Sequence, residues 1–238
     1  MGKTDRTPVW LARRLGGVAL LLSVLAGAFF LGNVLVAPGP VQAAFSHLWF
    51  LFDVGQERNI PSWYASVLWC ALAGAAFAAA VVARRRRAGW VVFGGVAVAA
   101  SIDEHSELHE RLDQVGGPLA EALGIELWFT WVLPGVLIGA VIVAVLAPLV
   151  WGLPKRARAY VIAGGVLFAL GAVVVEAISG QVLASFGGAV TWHYIAVTLV
   201  EETLEMIGVV VALAGVLILF EVHPDADGHR VIHWRGDD

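Results

Sequence analysis

Apolar residues run through this chain in blocks of about twenty rather than in alternation. Six blocks stand out, near residues 15–36, 63–83, 89–110, 129–150, 158–180 and 194–220. An α-helix rises about 1.5 Å per residue, so roughly 20 apolar residues match a hydrocarbon core of about 30 Å. Strands of an outer-membrane barrel would alternate over segments of about ten residues, a pattern these blocks do not follow. Gly, Pro or charge interrupts every gap: Pro38-Gly-Pro40, Arg84–Arg87, Gly116-Gly-Pro118, Pro154-Lys-Arg156 and Gly187-Gly188. The pattern predicts an all-α, polytopic bundle of six transmembrane helices in one domain over residues 1–222. Residues 223–238 are left as a solvated, disordered tail.

Composition agrees, with 59% hydrophobic and 14% charged residues among 238 and a mean hydropathy of +0.81. The lone cysteine, Cys70, excludes an internal disulfide and a thiolate metal cage. The net charge of -4 says less than its distribution. Of 15 basic residues, all but Arg58 and Arg111 fall in the N-terminal stretch, the second and fourth loops and the C-terminal tail. Basic residues mark cytoplasmic loops, so both termini are expected in the cytoplasm and the chain in the plasma (inner) membrane. The expected partner is the lipid bilayer, with no nucleic acid. Arg13-Arg14 followed by an apolar run and Val41-Gln-Ala-Ala44 also fits a signal peptide. That run is about 20 residues, however, where a signal core has roughly 7–15, which favours an uncleaved first helix.

Two segments outside the blocks carry further information. Residues 45–64 hold an aromatic half and then Asp53, Glu57 and Pro61; such a segment suits the membrane interface, where Trp and Tyr collect, and Pro61 marks the start of the next helix. In the tail, Asp225-Ala-Asp-Gly228 matches the opening of a calcium loop, but the remaining pattern and its closing Glu are absent.

The third block runs straight into Ser101-Ile-Asp-Glu-His-Ser-Glu-Leu-His-Glu-Arg111. Ionisable groups at membrane depth are costly, about 2.5–3.5 kcal/mol each at a helix centre, and mark function by default. With the orientation above, Glu176 in the fifth block and Glu201, Glu202 and Glu205 in the sixth fall in the same outer half, and no acid falls in the inner half. An unbroken third helix puts Asp103, Glu107 and Glu110 on one stripe, with His105 and His109 nearly opposite, at about 100° per residue. Clustered carboxylates must either take up protons or bind a cation. The candidate metal ligands are therefore Asp103, Glu104, His109, Glu110, Glu176, Glu201, Glu202 and Glu205, with His193 as a further source of imidazole. A carboxylate and imidazole set without sulfur suits Fe, Mn or Zn. It partly follows bundle-core di-iron sites, although no Glu-x-x-His occurs. Glu201-Glu202 lacks the later Arg and His-bearing helices of CAAX-type intramembrane proteases, which excludes that chemistry.

Three stretches together, Phe52-Asp-Val-Gly-Gln-Glu-Arg-Asn-Ile-Pro-Ser-Trp63, Ser101–Glu110 and Glu201-Glu-Thr-Leu-Glu-Met206, resemble an uncharacterised group of bacterial multi-pass membrane proteins over roughly residues 45–215. The resemblance implies that Glu57, Pro61, Asp103, Glu104, His109, Glu110, Glu202 and Glu205 are the positions that matter, and it names no activity. The expectation from the residues is a metal-dependent membrane enzyme acting on a lipid-phase substrate such as a lipid or quinone. The alternative is a proton- or divalent-cation-coupled transporter or channel. A purely structural role for the acids ranks below both, because Gly164, Gly165, Gly171 and Gly208 already allow close helix packing.

Overall fold

The computed structural model describes residues 7–224 and 230–237. Its helices are α1 (Thr7–Leu35), α2 (Pro40–Phe52), α3 (Ile60–Val82), α4 (Arg87–Ser106), α5 (Asp113–Leu123), α6 (Val132–Trp151), α7 (Lys155–Ala169), α8 (Glu176–Ser185) and α9 (Trp192–Leu217). A π-helical turn over Leu170–Val175 joins α7 to α8 without a break. The fold is helical throughout, apart from a short C-terminal hairpin.

Among the described residues, four helices are long and apolar enough to cross a membrane: Pro8–Leu35, Ile60–Val82, Val132–Trp151 and the continuous Lys155–Ser185. Their flanks expose large apolar side chains such as Leu137 at 62% and Val143 at 69%. Apolar surface on that scale needs a non-aqueous neighbour. Two further helices, α4 with 20 residues and α9 with 26, have spanning length but carry acids in their sequences.

Local chemistry sets the ends of these helices. Asn59 caps α3: its side chain accepts from the Ser62 amide, while the Ser62 hydroxyl accepts from the Asn59 amide. Pro61 sits in the first turn of that helix, where its missing N–H costs nothing. Ahead of α9, Gly187 and Gly188 adopt φ of 63° and 83°, a conformation that side chains resist. Thr191 then caps the helix by accepting from the Tyr194 amide.

The aromatic segment after α1 forms α2, which crosses the end of α1 obliquely. Gln42 donates to Asn33, a Cβ on Gly32 would strike the Phe45 ring, and Phe30 meets Trp49 while Phe29 meets Phe52. Roughly 15 Å of α2 thus passes roughly 6 Å of α1. No residue of α2 is fully buried, and Phe50 is 70% exposed.

Helix α9 is the hub and packs against α1, α3, α7 and α8. Its approach to α7 is close because both helices carry glycine at the crossing. A Cβ on Gly208 would lie 2.6 Å from the Phe168 amide nitrogen, and one on Gly164 would lie 2.6 Å from the Gly208 carbonyl oxygen. Gly165, expected to share this role, has open space around its Cβ position.

Where the sequence suggests a disordered tail, the chain forms strands β1 (Phe220–Pro224) and β2 (Arg230–Trp234), paired antiparallel with Phe220 opposite Trp234. The Trp234 ring packs on Trp90 and Phe220, and that aromatic burial offsets the cost of ordering the hairpin. Asp237 then accepts from the amides of Arg84 and Arg85. The calcium-loop-like residues 225–228 lie outside the described residues. The hairpin and the 84–87 and 152–155 turns, linked by Arg86 donating to the Gly152 carbonyl, form one end of the bundle. The acidic segments gather at the other.

Candidate functional site

At the acidic end the third block departs from an unbroken helix. It stops at Ser106, because Glu107 takes φ of 51° and turns the chain back. A short 3-10 turn over Glu110–Leu112 and helix α5 follow. The stripe expected from an unbroken helix is therefore wrong beyond Ser106. His109 folds back onto Asp103, its backbone amide donating to one carboxylate oxygen at 2.7 Å and its ring Nδ1 lying 3.0 Å from the other. His105 is exposed, as is Glu110.

The pairing sets the charge of His109. Burial works against an imidazolium, but the hydrogen bond and charge of Asp103 outweigh it, with Glu57 and Glu176 adding, and the pKa rises to about 9. The loop between α2 and α3 closes over this turn. Arg58, itself at φ of 64°, pairs with Glu107 at 3.1 Å. Its neighbour Glu57 faces inward: burial pushes its carboxyl up to about 7, Glu107, Glu110 and Asp103 add to the rise, and His109 opposes it. One Glu57 carboxylate oxygen is buried without a hydrogen-bond partner.

Trp131 joins this layer to the deeper one. Its ring lies 4.6 Å from the His109 ring, centre to centre, and its Nε1 donates to Glu176 at 3.3 Å. Asp113 fixes the tryptophan by accepting from the Trp131 amide at 2.6 Å and from the Thr130 hydroxyl at 2.7 Å. Glu176 begins α8 directly after the π-helical turn, a distortion that often accompanies functional sites. Its carboxyl lies within hydrogen-bonding reach of Glu201, as does the Ser179 hydroxyl. Glu201 is 5% exposed, and its second oxygen has no partner.

Glu202 and Glu205 complete the set on α9. Their charges interact with those of Glu104 and Glu176, and Glu202 also interacts with Glu57. A Cβ on Gly171, within the π-helical turn, would lie 2.7 Å from the Glu205 Cγ and 2.9 Å from the Glu201 carbonyl oxygen. The turn thus presses directly on the acidic stretch of α9. His193 lies apart from this arrangement, its ring stacked on Trp192 and Phe186.

The fold therefore brings together seven of the eight candidate ligands, Asp103, Glu104, His109, Glu176, Glu201, Glu202 and Glu205, as one electrostatically coupled region, with exposed Glu110 at its edge. Their side chains are neighbours without being a coordination sphere. Among the described residues, no group of three or more His, Cys, Asp or Glu is gathered closely enough to hold a metal ion, so the structure does not support metal binding. Sequence reasoning missed Trp131, Asp113 and Ser179 as parts of the site, since an aromatic, an acid at a helix start and a helix serine carry no distinctive spacing.

The arrangement defines a helical bundle, with four described helices long and apolar enough to cross a membrane, and a polar centre at one end. The chain belongs to the family DUF8692, described as a domain of unknown function, which it matches over residues 15–220. No curated protein matches the chain. No solved structure matches it either.

Proposed function

We propose that the protein is a six-span plasma (inner) membrane protein whose outward-facing carboxylate and imidazole centre performs proton-transfer chemistry on a lipid-phase substrate such as a lipid or quinone. The observation that carries this reading is the one-sided placement of the acids. Helices α1, α3, α6 and α7 contain no Asp or Glu, and α9 carries none between Glu205 and Leu217. Below Glu205 that helix is buried through Met206, Val209, Val210 and Leu213 and locked to α7 by glycine. The centre therefore lies towards one end of the bundle, with packed apolar helix between it and the other end. The basic residues at the opposite end support a cytoplasmic assignment for that end, and α4 and α9 become the fifth and sixth spans.

Each residue has a task in this reading. Asp103 holds the His109 imidazole, which serves as proton donor or acceptor. Glu176 and Glu201 form the deeper acid pair, and Trp131 positions Glu176. Glu104, Glu202 and Glu205 extend the acidic region across α4 and α9. A divalent cation (Fe, Mn or Zn) matches the donor set by chemistry, but it requires carboxylates from α4, α8 and α9 to draw together.

The test is to incubate purified protein with native lipid extract and follow lipids and quinones by mass spectrometry. Wild-type protein should convert one species, and Glu205→Gln and Glu176→Gln should lower the rate by at least about 100-fold. Conversion unaffected by both variants would overturn the reading. Metal analysis of the same preparations decides the cation: stoichiometric metal lost on Glu205→Ala adds it, and no metal leaves the acid–base centre alone. The second reading, a proton- or divalent-cation-coupled transporter, would need a path through the apolar half. Cation flux into proteoliposomes that vanishes with Glu201→Gln would favour it.

A further inference from the structure

A cavity of about 270 Å³ lies between α2, the loop after it and the start of α9. Trp49, Phe50 and Ile195 form apolar walls, and Asp53, Tyr194 and Thr198 supply polar atoms. None of the residues already assigned to the acid centre lines it. Two observations indicate a ligand. Thr198 is only 3% exposed, yet its hydroxyl makes no well-formed hydrogen bond, although the Tyr194 hydroxyl stands beside it. A buried hydroxyl in that condition is costly unless something completes it. The cavity also carries one sign of charge: Asp53 lines it, the charges of Glu201 and Glu176 reach Tyr194, and no Lys, Arg or His lines it among the described residues.

The position fits an entrance from the lipid phase. Helix α2 exposes its apolar flank, with Phe50 and Leu51 at 70% and 44%, so the mouth of the cavity is aromatic and open. Its inner end is tight: a Cβ on Gly55 would lie 2.7 Å from the Thr198 Cγ2, which shows how closely the loop rests on α9. Glu201 and Glu202 follow Thr198 by about one helical turn. A ligand with its tail between α2 and α9 and its head at Asp53 and Thr198 stands directly above the acid centre.

We infer that this cavity binds a cationic amphiphile, a long apolar chain with an ammonium head. Asp53 accepts from the head, and the Thr198 hydroxyl gains its missing partner there. An anionic head is disfavoured because no cation lines the site. The inference deepens the functional reading above and rests on its lipid-phase substrate, but binding is measured apart from chemistry.

Full-length protein in neutral-lipid nanodiscs is titrated with a fluorescent long-chain alkylammonium, with an alkyl sulfate of the same tail as competitor. Saturable binding is expected, weakened about tenfold or more by Asp53→Asn and to a smaller extent by the isosteric Thr198→Val, and the sulfate should not compete. Equal competition by the sulfate, or affinity unchanged in Asp53→Asn, would overturn the inference. Glu205→Gln separates the two proposals, because it neutralises a carboxyl of the acid centre that does not line the cavity and should leave probe affinity within about twofold. Affinity that falls as far in Glu205→Gln as in Asp53→Asn would place the head in the acid centre and overturn the cavity assignment. Lipid conversion that survives both Glu205→Gln and Glu176→Gln would overturn the functional reading and leave the binding result standing.

Discussion

Within the site, His109 is the group on which neighbouring charges converge, and its titration gives a sign that can be checked. Its pKa rises from 6.5 unfolded to about 9 folded, so its contribution to stability is complete below pH 6.5 and is lost as pH rises through 9. Glu57 acts in the same direction at lower pH. Its carboxyl is raised from 4.5 to about 7, so the folded state holds that proton more tightly and loses stability as pH climbs through this window. The unfolding temperature in detergent should therefore fall between pH 6.5 and 9, and His109→Gln should flatten that upper part of the curve. Equal slopes in wild type and variant over this range would show that the Asp103 pairing contributes nothing. The residues behind this behaviour were only partly legible. Asp103, Glu104 and His109 are conspicuous in an apolar chain, but the contact between Asp103 and His109 depends on Glu107 adopting a left-handed conformation with no glycine to announce it. Trp131 was invisible for a different reason, since its role comes from an anchor on Asp113, 18 residues away in sequence.

Among the elements, α7 and α9 show how small residues position large charges. Glycines bring the two backbones together, and that contact sets where Glu201 and Glu205 stand relative to the π-helical turn. Gly208→Ala would push a Cβ against the Phe168 backbone, which cannot give way as a flexible side chain could. Overpacking of this kind costs about 1–3 kcal/mol, so thermal or denaturant unfolding should show a clear loss. Gly165→Ala is the matched control, since nothing lies within 4 Å of its Cβ position, and stability should stay level or rise through better helix propensity. A comparable loss in both would mean that the helices meet on another face. Block length and punctuation sufficed to locate the long helices, because hydropathy over twenty residues is a strong signal, but Gly116-Gly-Pro118, expected as a gap, lies inside α5. They could not give α4 its early end or show that Lys155–Ser185 runs through a π-helical turn. Both are set by contacts between elements. The hairpin at the C-terminus was hidden similarly, as its order derives from Trp234 meeting Trp90.

At the scale of the whole molecule, the bundle has two chemically distinct ends, and the proposed topology assigns each to a side of the membrane. Loops 53–59, 107–112 and 124–131 share the acidic end through the Arg58–Glu107 pair and the His109–Trp131 contact. The 84–87 and 152–155 turns share the other. Basic loops are retained on the cytoplasmic side at insertion, so the proposed topology turns the acid centre outward. Single cysteines on a Cys70→Ala background test this directly. Glu121 and Lys155 are both exposed, at opposite ends, and neither makes a contact that the fold depends on. A membrane-impermeant maleimide added to intact cells should label Glu121→Cys, and it should reach Lys155→Cys only after permeabilisation. The reverse pattern would invert the orientation and turn the acid centre toward the cytoplasm. Labelling of both positions from one side would break the two-ended bundle itself, and with it the argument that the centre lies towards one end.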